Sequence, residues 1–184
     1  MSLLASRGQL RASFVRWALF AVPAILLLGF ISGQLSGSGP GNPWYASLAK
    51  PDIMPPSIAF PVAWTVLYAL MGLALAFIGS AWGAHGRKLA LGLFVAQLIA
   101  NLAWSPLFFG QHQITAALVL IGVLDLLVLA TLVLFWRIRL VAGILLLPYM
   151  AWLVFATVLN WQILELNPAA DGGDVSGAVQ RIEL

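Results

Sequence analysis

The chain has 184 residues, 62% of them hydrophobic and 8% charged, with nine Lys or Arg against six Asp or Glu and a formal charge of +3. A soluble domain of that length needs far more charge to cover its surface, so the composition excludes an ordinary water-soluble fold. Cysteine is absent, which removes disulfides, thiolate catalysis and Cys-ligated metals, and the basic residues flank long uncharged runs instead of forming a stripe for nucleic acid.

A membrane-spanning helix needs about 20 mainly apolar residues. In chain order, a basic N-terminal segment (1–13) precedes a first span at 14–35. Its Arg-led, short apolar pattern also resembles a secretory signal peptide, although no small-x-small cleavage site follows; cleavage would leave four spans. The loop 36–56 starts with a flexible Ser/Gly run and continues with proline and aromatics, from Asn42-Pro43-Trp44-Tyr45 to Pro55-Pro56. That composition predicts a packed lid. Further spans are expected at 58–82, 89–109, 114–136 and 140–164. The short connections between them predict that consecutive helices are antiparallel neighbours. The polar, Gly-containing tail 169–184 is expected to fray. The predicted fold class is an all-α integral membrane protein, one five-helix domain over residues 14–168, with the lipid bilayer as its surroundings.

Five spans place the N-terminus and the second and fourth connections on one side. That side carries Arg7, Arg11, Arg16, Arg87, Lys88, Arg137 and Arg139, whereas Lys50 and Arg181 fall opposite. The positive-inside rule then predicts a cytoplasmic N-terminus and an external C-terminus; a bacterial cell membrane is the expected location. Trp17, Trp82 and Trp136 sit where an interfacial aromatic belt is expected.

Alternating helix direction converts position into depth. Trp64, Tyr68, Gln97, Asn101, Trp104, Asp125, Trp152 and Asn160 then share a zone from the bilayer centre to the outer face, beneath the lid. Gln97, Asn101, Trp104 and Phe108 fall within roughly 60° on one helix. Trp64, Tyr68 and Met71 form one stripe; Tyr149, Trp152, Ala156 and Asn160 form another. Uncompensated polar groups are costly in lipid, so these side chains should face the bundle centre. They serve either as hydrogen bonds between helices or as a cavity gripping a flat, mostly apolar ligand between aromatic faces. Gly92, Ala96, Ala100 and Ala103 make a small-residue stripe elsewhere on the third span, suited equally to homodimerisation and to intramolecular packing.

The run Trp44-Tyr45, Lys50-Pro51, Pro55-Pro56 and Pro61-Val62-Ala63-Trp64-Thr65-Val66-Leu67-Tyr68 resembles the TspO/MBR family of tryptophan-rich sensory proteins and translocator proteins. The likeness continues through Asn101-Leu102-Ala103-Trp104-Ser105-Pro106, Pro148-Tyr149-Met150-Ala151-Trp152 and Leu159-Asn160 to Leu166-Asn167-Pro168. The resemblance implies a five-helix bundle, commonly dimeric, that binds porphyrins such as protoporphyrin IX in a cavity closed by the first loop. It adds Leu126, Pro55 and Pro56 to the lining residues. It also implies, for some members, light-dependent porphyrin breakdown using tryptophans that match Trp64 and Trp152. Ile53 stands where the family loop usually has tryptophan. Trp161 and Glu165 stand where its cholesterol-recognition segment has tyrosine and a basic residue, so that motif does not carry over.

A tetrapyrrole-binding receptor or sensor is therefore the first expectation. Porphyrin or haem would be a ligand rather than an obligatory cofactor, with Lys50 attracting propionates. Both histidines, His85 and His112, fall in loops, and no metal site is expected. Transport of porphyrins or sterols is the alternative, although the five spans show no inverted repeat of the kind transporters use. Photochemical catalysis ranks third, since no acid, nucleophile or metal constellation supports an ordinary enzyme.

Overall fold

The computed structural model describes residues 7–173. Among them are five helices long and apolar enough to cross a membrane. We label the helices α1 (Arg7–Leu35), α2 (Pro43–Ser47), α3 (Ala59–Gly79), α4 (Arg87–Ser105), α5 (Ile114–Ile138) and α6 (Leu140–Leu166). α2 is a single turn within the lid; the other five span. Residues 1–6 of the expected N-terminal segment and 174–184 of the expected tail lie outside the described residues.

α1 begins seven residues before the expected span, because Arg7-Gly8-Gln9-Leu10-Arg11-Ala12-Ser13 continues the helix beyond the apolar stretch. The tail departs from expectation at its near end. Pro168–Ala170 form a 3-10 turn, and Asp171 and Gly172 are hydrogen-bonded to the start of α5 and the loop before it.

Around the bundle the helices follow the order α1, α3, α6, α5, α4. The expectation that consecutive helices are close neighbours therefore fails at one place. α3 packs chiefly on α1 and α6 and touches α4 only lightly. The 80–86 connection is long enough to cross the bundle end, turning at Gly83 and Gly86, both at φ 77°. Arg87 fastens it, its Nε and Nη2 donating to the Ile78 and Gly79 carbonyls at 3.0 and 2.6 Å.

The α1–α3 contact rests on small residues. A Cβ added to Gly72 would lie 2.6 Å from Val22 Cα, so only glycine permits this backbone approach. α1 is peripheral, with Ala21 and Ile25 its fully buried apolar side chains. The main core runs down the axis through Met71, Phe94, Leu124, Phe135, Leu146 and Tyr149. A second cluster, Trp44, Leu48, Phe108, Ile114, Ala117 and Ile163, joins the lid to the bundle, and Trp104 packs against both.

α4 carries the least apolar span, of mean hydropathy 1.6 against 2.9 for α5, because it contributes Gln97 and Asn101 to the interior. Pro106 does not end this helix. The backbone continues as a π-helical turn, Pro106–Gly110, in which Gln111 N–H reaches the Pro106 carbonyl at 3.0 Å. Proline has no N–H to offer Leu102, four residues earlier. Ser32 of α1 supplies the missing donor, Oγ to the Leu102 carbonyl at 2.7 Å.

Candidate functional site: a polar relay beneath an aromatic lid

Four of the sequence-predicted residues form one chain of hydrogen bonds across three helices. Tyr68 Oη donates to Asn101 Oδ1 at 2.9 Å, and Asn101 Nδ2 donates to Tyr149 Oη at 3.0 Å. Tyr149 Oη in turn donates to Gln97 Oε1 at 3.0 Å. The i, i+4 spacing puts Gln97 and Asn101 on one face of α4, so a single tyrosine can bridge them. Tyr149 and Gln97 are buried, at 0% and 1% exposure. Gln97 Nε2 ends the chain, buried and without a partner among the described residues. A buried amide hydrogen left in that state is costly, and it leaves an unused donor at the end of the relay.

Aromatic faces surround this relay. The Trp64 ring lies 5.1 Å from Tyr68 and 6.4 Å from Tyr149. Trp152 packs edge-on to Phe60 at 5.9 Å and against Phe155 at 5.7 Å. Both tryptophans are half-buried, and Ala156 packs against the same core. Glycine shapes the outer wall. A Cβ on Gly29 would fall 2.1 Å from the Tyr68 ring, so α1 leaves a slot for that tyrosine.

Two further groups of contacts involve predicted residues. Trp104 stacks on Phe108 at 4.8 Å and 13°, and its Nε1 donates to Asn160 Oδ1 at 3.2 Å. Asn160 Nδ2 passes on to the Ile114 carbonyl at 3.1 Å. Asp125, half-buried on α5, accepts from the Thr157 hydroxyl at 2.8 Å through Oδ2, while its buried Oδ1 has no partner among the described residues.

The lid is fastened at several points. Asn42 caps α2, its Oδ1 accepting from Tyr45 N–H at 3.0 Å, while its Nδ2 reaches the Phe109 carbonyl at 3.3 Å. Trp44 is 4% exposed, stacked on the His112 ring at 4.4 Å and edge-on to Phe108 at 5.4 Å. Asn167, just past α6, pairs with both backbone groups of Ala49, at 2.8 and 2.9 Å.

Not every expected residue joins the site. Leu126 is 69% exposed, in line with Val119, Val123, Leu129 and Val133 on the outer face of α5. Pro56 is exposed and Pro55 half-buried at the approach to α3. Lys50 turns inward: its ammonium donates to the Tyr45 and Leu48 carbonyls and lies 4.4 Å over the Tyr45 ring. Burial lowers its pKa from the usual lysine range, so the expected pairing with propionates would first have to break these contacts. Gly92 and Ala103 are exposed and Ala96 and Ala100 partly so, which leaves the small-residue stripe on the bundle surface.

Sequence reasoning missed Phe60, Thr157 and Gly29. Thr157 was visible in principle, since a mid-span acid requires a donor and the following helix carries only Tyr149 and Thr157 as hydroxyls. The predicted lining residues close on one another. A cleft of about 440 Å³ lies to one side, between Lys50, Pro51, Asp52 and Ile53 of the lid and Gln162, Glu165 and Leu166 at the end of α6. Among the described residues no group of three His, Asp or Glu comes together as metal ligands.

The profile of the TspO/MBR family matches residues 21–166. The tryptophan-rich protein TspO of Chlorobaculum tepidum is 40% identical over 144 residues, covering 78% of this chain and 90% of that one. Protein CrtK of Rhodobacter capsulatus is 39% identical over 126 residues, 68% of this chain and 79% of its own. The human translocator protein is 36% identical over 148 residues, 79% of this chain and 88% of its own. With five apolar helices, and with a match running from α1 to the end of α6, this chain is a multi-pass membrane protein of the TspO/MBR family.

Proposed function

We propose that the chain is a membrane receptor or sensor that binds a flat tetrapyrrole, such as protoporphyrin IX, among Trp64, Tyr68, Tyr149 and Trp152. The observation that carries this reading is the Tyr68–Asn101–Tyr149–Gln97 relay, ending in a buried, unpartnered amide and flanked by two half-buried indoles. Aromatic faces supply affinity for a planar apolar ring, and a few amides fix its orientation. Because the interior side chains pack on one another, binding requires the indoles to swing and the lid to lift. The names sensory protein and translocator protein borne by relatives accord with ligand recognition in the membrane.

The test is quenching of intrinsic tryptophan fluorescence by protoporphyrin IX in detergent, on the wild type and on Trp64→Phe/Trp152→Phe. Saturable quenching, weakened by the double change, supports the site. Linear quenching, equal in both proteins, means partitioning into the micelle and overturns it. The same samples under illumination test the photochemical reading through loss of the porphyrin absorbance band. A second reading, translocation of the same ligand, draws on the name of the mammalian relatives; it requires flux into sealed liposomes.

The proposal places the Arg-rich end on the cytoplasmic side, following the positive-inside rule, in a bacterial cell membrane. Pairing of two copies through the Gly92–Ala96–Ala100–Ala103 face belongs to the same proposal.

A further inference from the structure

The end of the bundle opposite the lid carries a second cleft, of about 420 Å³, walled by three elements. α1 contributes Leu10 and Phe14, α3 contributes Phe77 and Ser80, and the start of α6 contributes Arg139, Leu140 and Val141. The Phe14 and Phe77 rings meet at 4.4 Å and form its floor. Leu10, Leu140 and Val141 are 47%, 54% and 49% exposed, so the rim is apolar where the span meets the interface.

Arg139 gives this cleft its charge. It is exposed, and its side chain makes no hydrogen bond or ion pair among the described residues. It is also the N-cap of α6, whose first turn has no side-chain cap. The Ala142 and Gly143 N–H groups bond back to the Arg139 carbonyl, which leaves those of Leu140 and Val141, both residues of the cleft wall, without a partner among the described residues. Arg11 stands one turn before Phe14 on the α1 wall. The four described acids, Asp52, Asp125, Glu165 and Asp171, all lie in the lid half or mid-span, so none of them neutralises this end.

A cation over an apolar, lipid-facing cleft is complementary to an anion that carries hydrocarbon. We propose that this cleft is a binding site for an anionic phospholipid, with Arg139 on the headgroup phosphate and an acyl chain starting along Phe14, Phe77 and Val141. The site lies at the far end of the bundle from the relay, so it stands whether or not a tetrapyrrole binds there. It would anchor the junction of α1, α3 and α6, and so set how firmly the peripheral α1 is held.

Native mass spectrometry in a non-ionic detergent tests this on the full chain, with phosphatidylglycerol and phosphatidylcholine of identical acyl chains as probes. Two single-charge variants are compared. Arg139→Gln removes the cleft cation; Arg16→Gln removes an exposed cation about 200° around α1 from Phe14. Val141→Trp fills the cleft and leaves every charge in place. Phosphatidylglycerol should be retained by the wild type and Arg16→Gln, and bound roughly fivefold more weakly by Arg139→Gln. It should also be lost from Val141→Trp. Equal retention of phosphatidylcholine, equal loss in both Arg variants, or wild-type retention by Val141→Trp would each overturn the site. Full competition by sn-glycerol 3-phosphate would also overturn it, since it would show a small-anion site with no role for the lipid chain.

Discussion

Ser32 donates to the Leu102 carbonyl at 2.7 Å, the group that Pro106 leaves without its helical N–H. α1 is thereby tied to α4 at the point where the π-helical turn begins. Ser32→Ala leaves that carbonyl without a donor and should destabilise the protein by about 1–3 kcal/mol. Pro106→Ala restores an N–H to Leu102, so Ser32→Ala should cost much less in that background. Thermal unfolding in detergent of the four proteins of this cycle decides the matter. Additive effects would mean that the two residues do not serve the same carbonyl.

The Tyr68 ring fills the slot at Gly29, where a Cβ would stand 2.1 Å from it. Gly29→Ala must therefore displace the ring and with it the bond to Asn101 Oδ1. A loss of about 1–3 kcal/mol is expected from such overpacking. Removing the ring relieves the clash, so in a Tyr68→Ala background the same change should be close to neutral. An undiminished penalty there would place the cause in the α1 backbone.

The five spans were legible because lipid leaves few alternatives to an apolar helix, and hydropathy alone marks where each one lies. The face shared by Gln97 and Asn101 was legible from helical spacing, since α4 is regular there. What sequence could not supply was the α1–α3–α6–α5–α4 order, because hydropathy marks spans and says nothing of their neighbours. Hence Tyr149 emerged as a member of a stripe and not as the bridge between the two amides. The lid helix carried a readable signal, Asn42 before Pro43, a capping residue followed by proline at the first helical position. Leu126 shows the opposite limit. A residue role carried over from a family says nothing of which face the neighbouring helix covers, and here that residue lies in the outward row of α5.

A Cβ at Gly92 would meet no atom within 4 Å, so Gly92→Leu should leave the stability of a single bundle unchanged. If two copies pair through this face, the bulky side chain should lower the dimer fraction measured by size-exclusion chromatography with light scattering. A monomeric wild type, or a dimer indifferent to the substitution, would end the proposal that this stripe is an interface.

Asp171 serves as a distant cap for α5. Its Oδ1 accepts from Thr115 N–H at 3.1 Å and its Oδ2 from the Thr115 hydroxyl at 2.5 Å. Burial pushes the carboxyl up, but the hydrogen bonds from Thr115 and Ile114 outweigh it and hold the pKa below the usual carboxylate range. A group depressed on folding adds stability above its unfolded value, about 3.9, and loses it as pH falls through the folded one. The stability gap between the wild type and Asp171→Asn should therefore stay constant from about pH 7 to about pH 5 and shrink below about pH 4. A gap that changes near neutrality would point to a different titrating group.

Asn167 holds the lid through Ala49 alone, accepting from its N–H at 2.8 Å and donating to its carbonyl at 2.9 Å, while its Nδ2 also reaches the Ile163 carbonyl at 2.8 Å. Asn167→Ala removes both lid contacts without touching the relay or the indoles. Amide exchange across residues 44–50 should accelerate by roughly tenfold while exchange in α4 and α6 stays as it was. If a ligand reaches Trp64 and Trp152 past this lid, association and dissociation of protoporphyrin IX should both quicken, with the equilibrium constant little changed, because a gate acts on the barrier and not on the bound contacts. Faster amide exchange with unaltered ligand kinetics would mean that the path into the bundle runs between helices from the lipid. The lid would then be a structural clamp on the α5 and α6 ends.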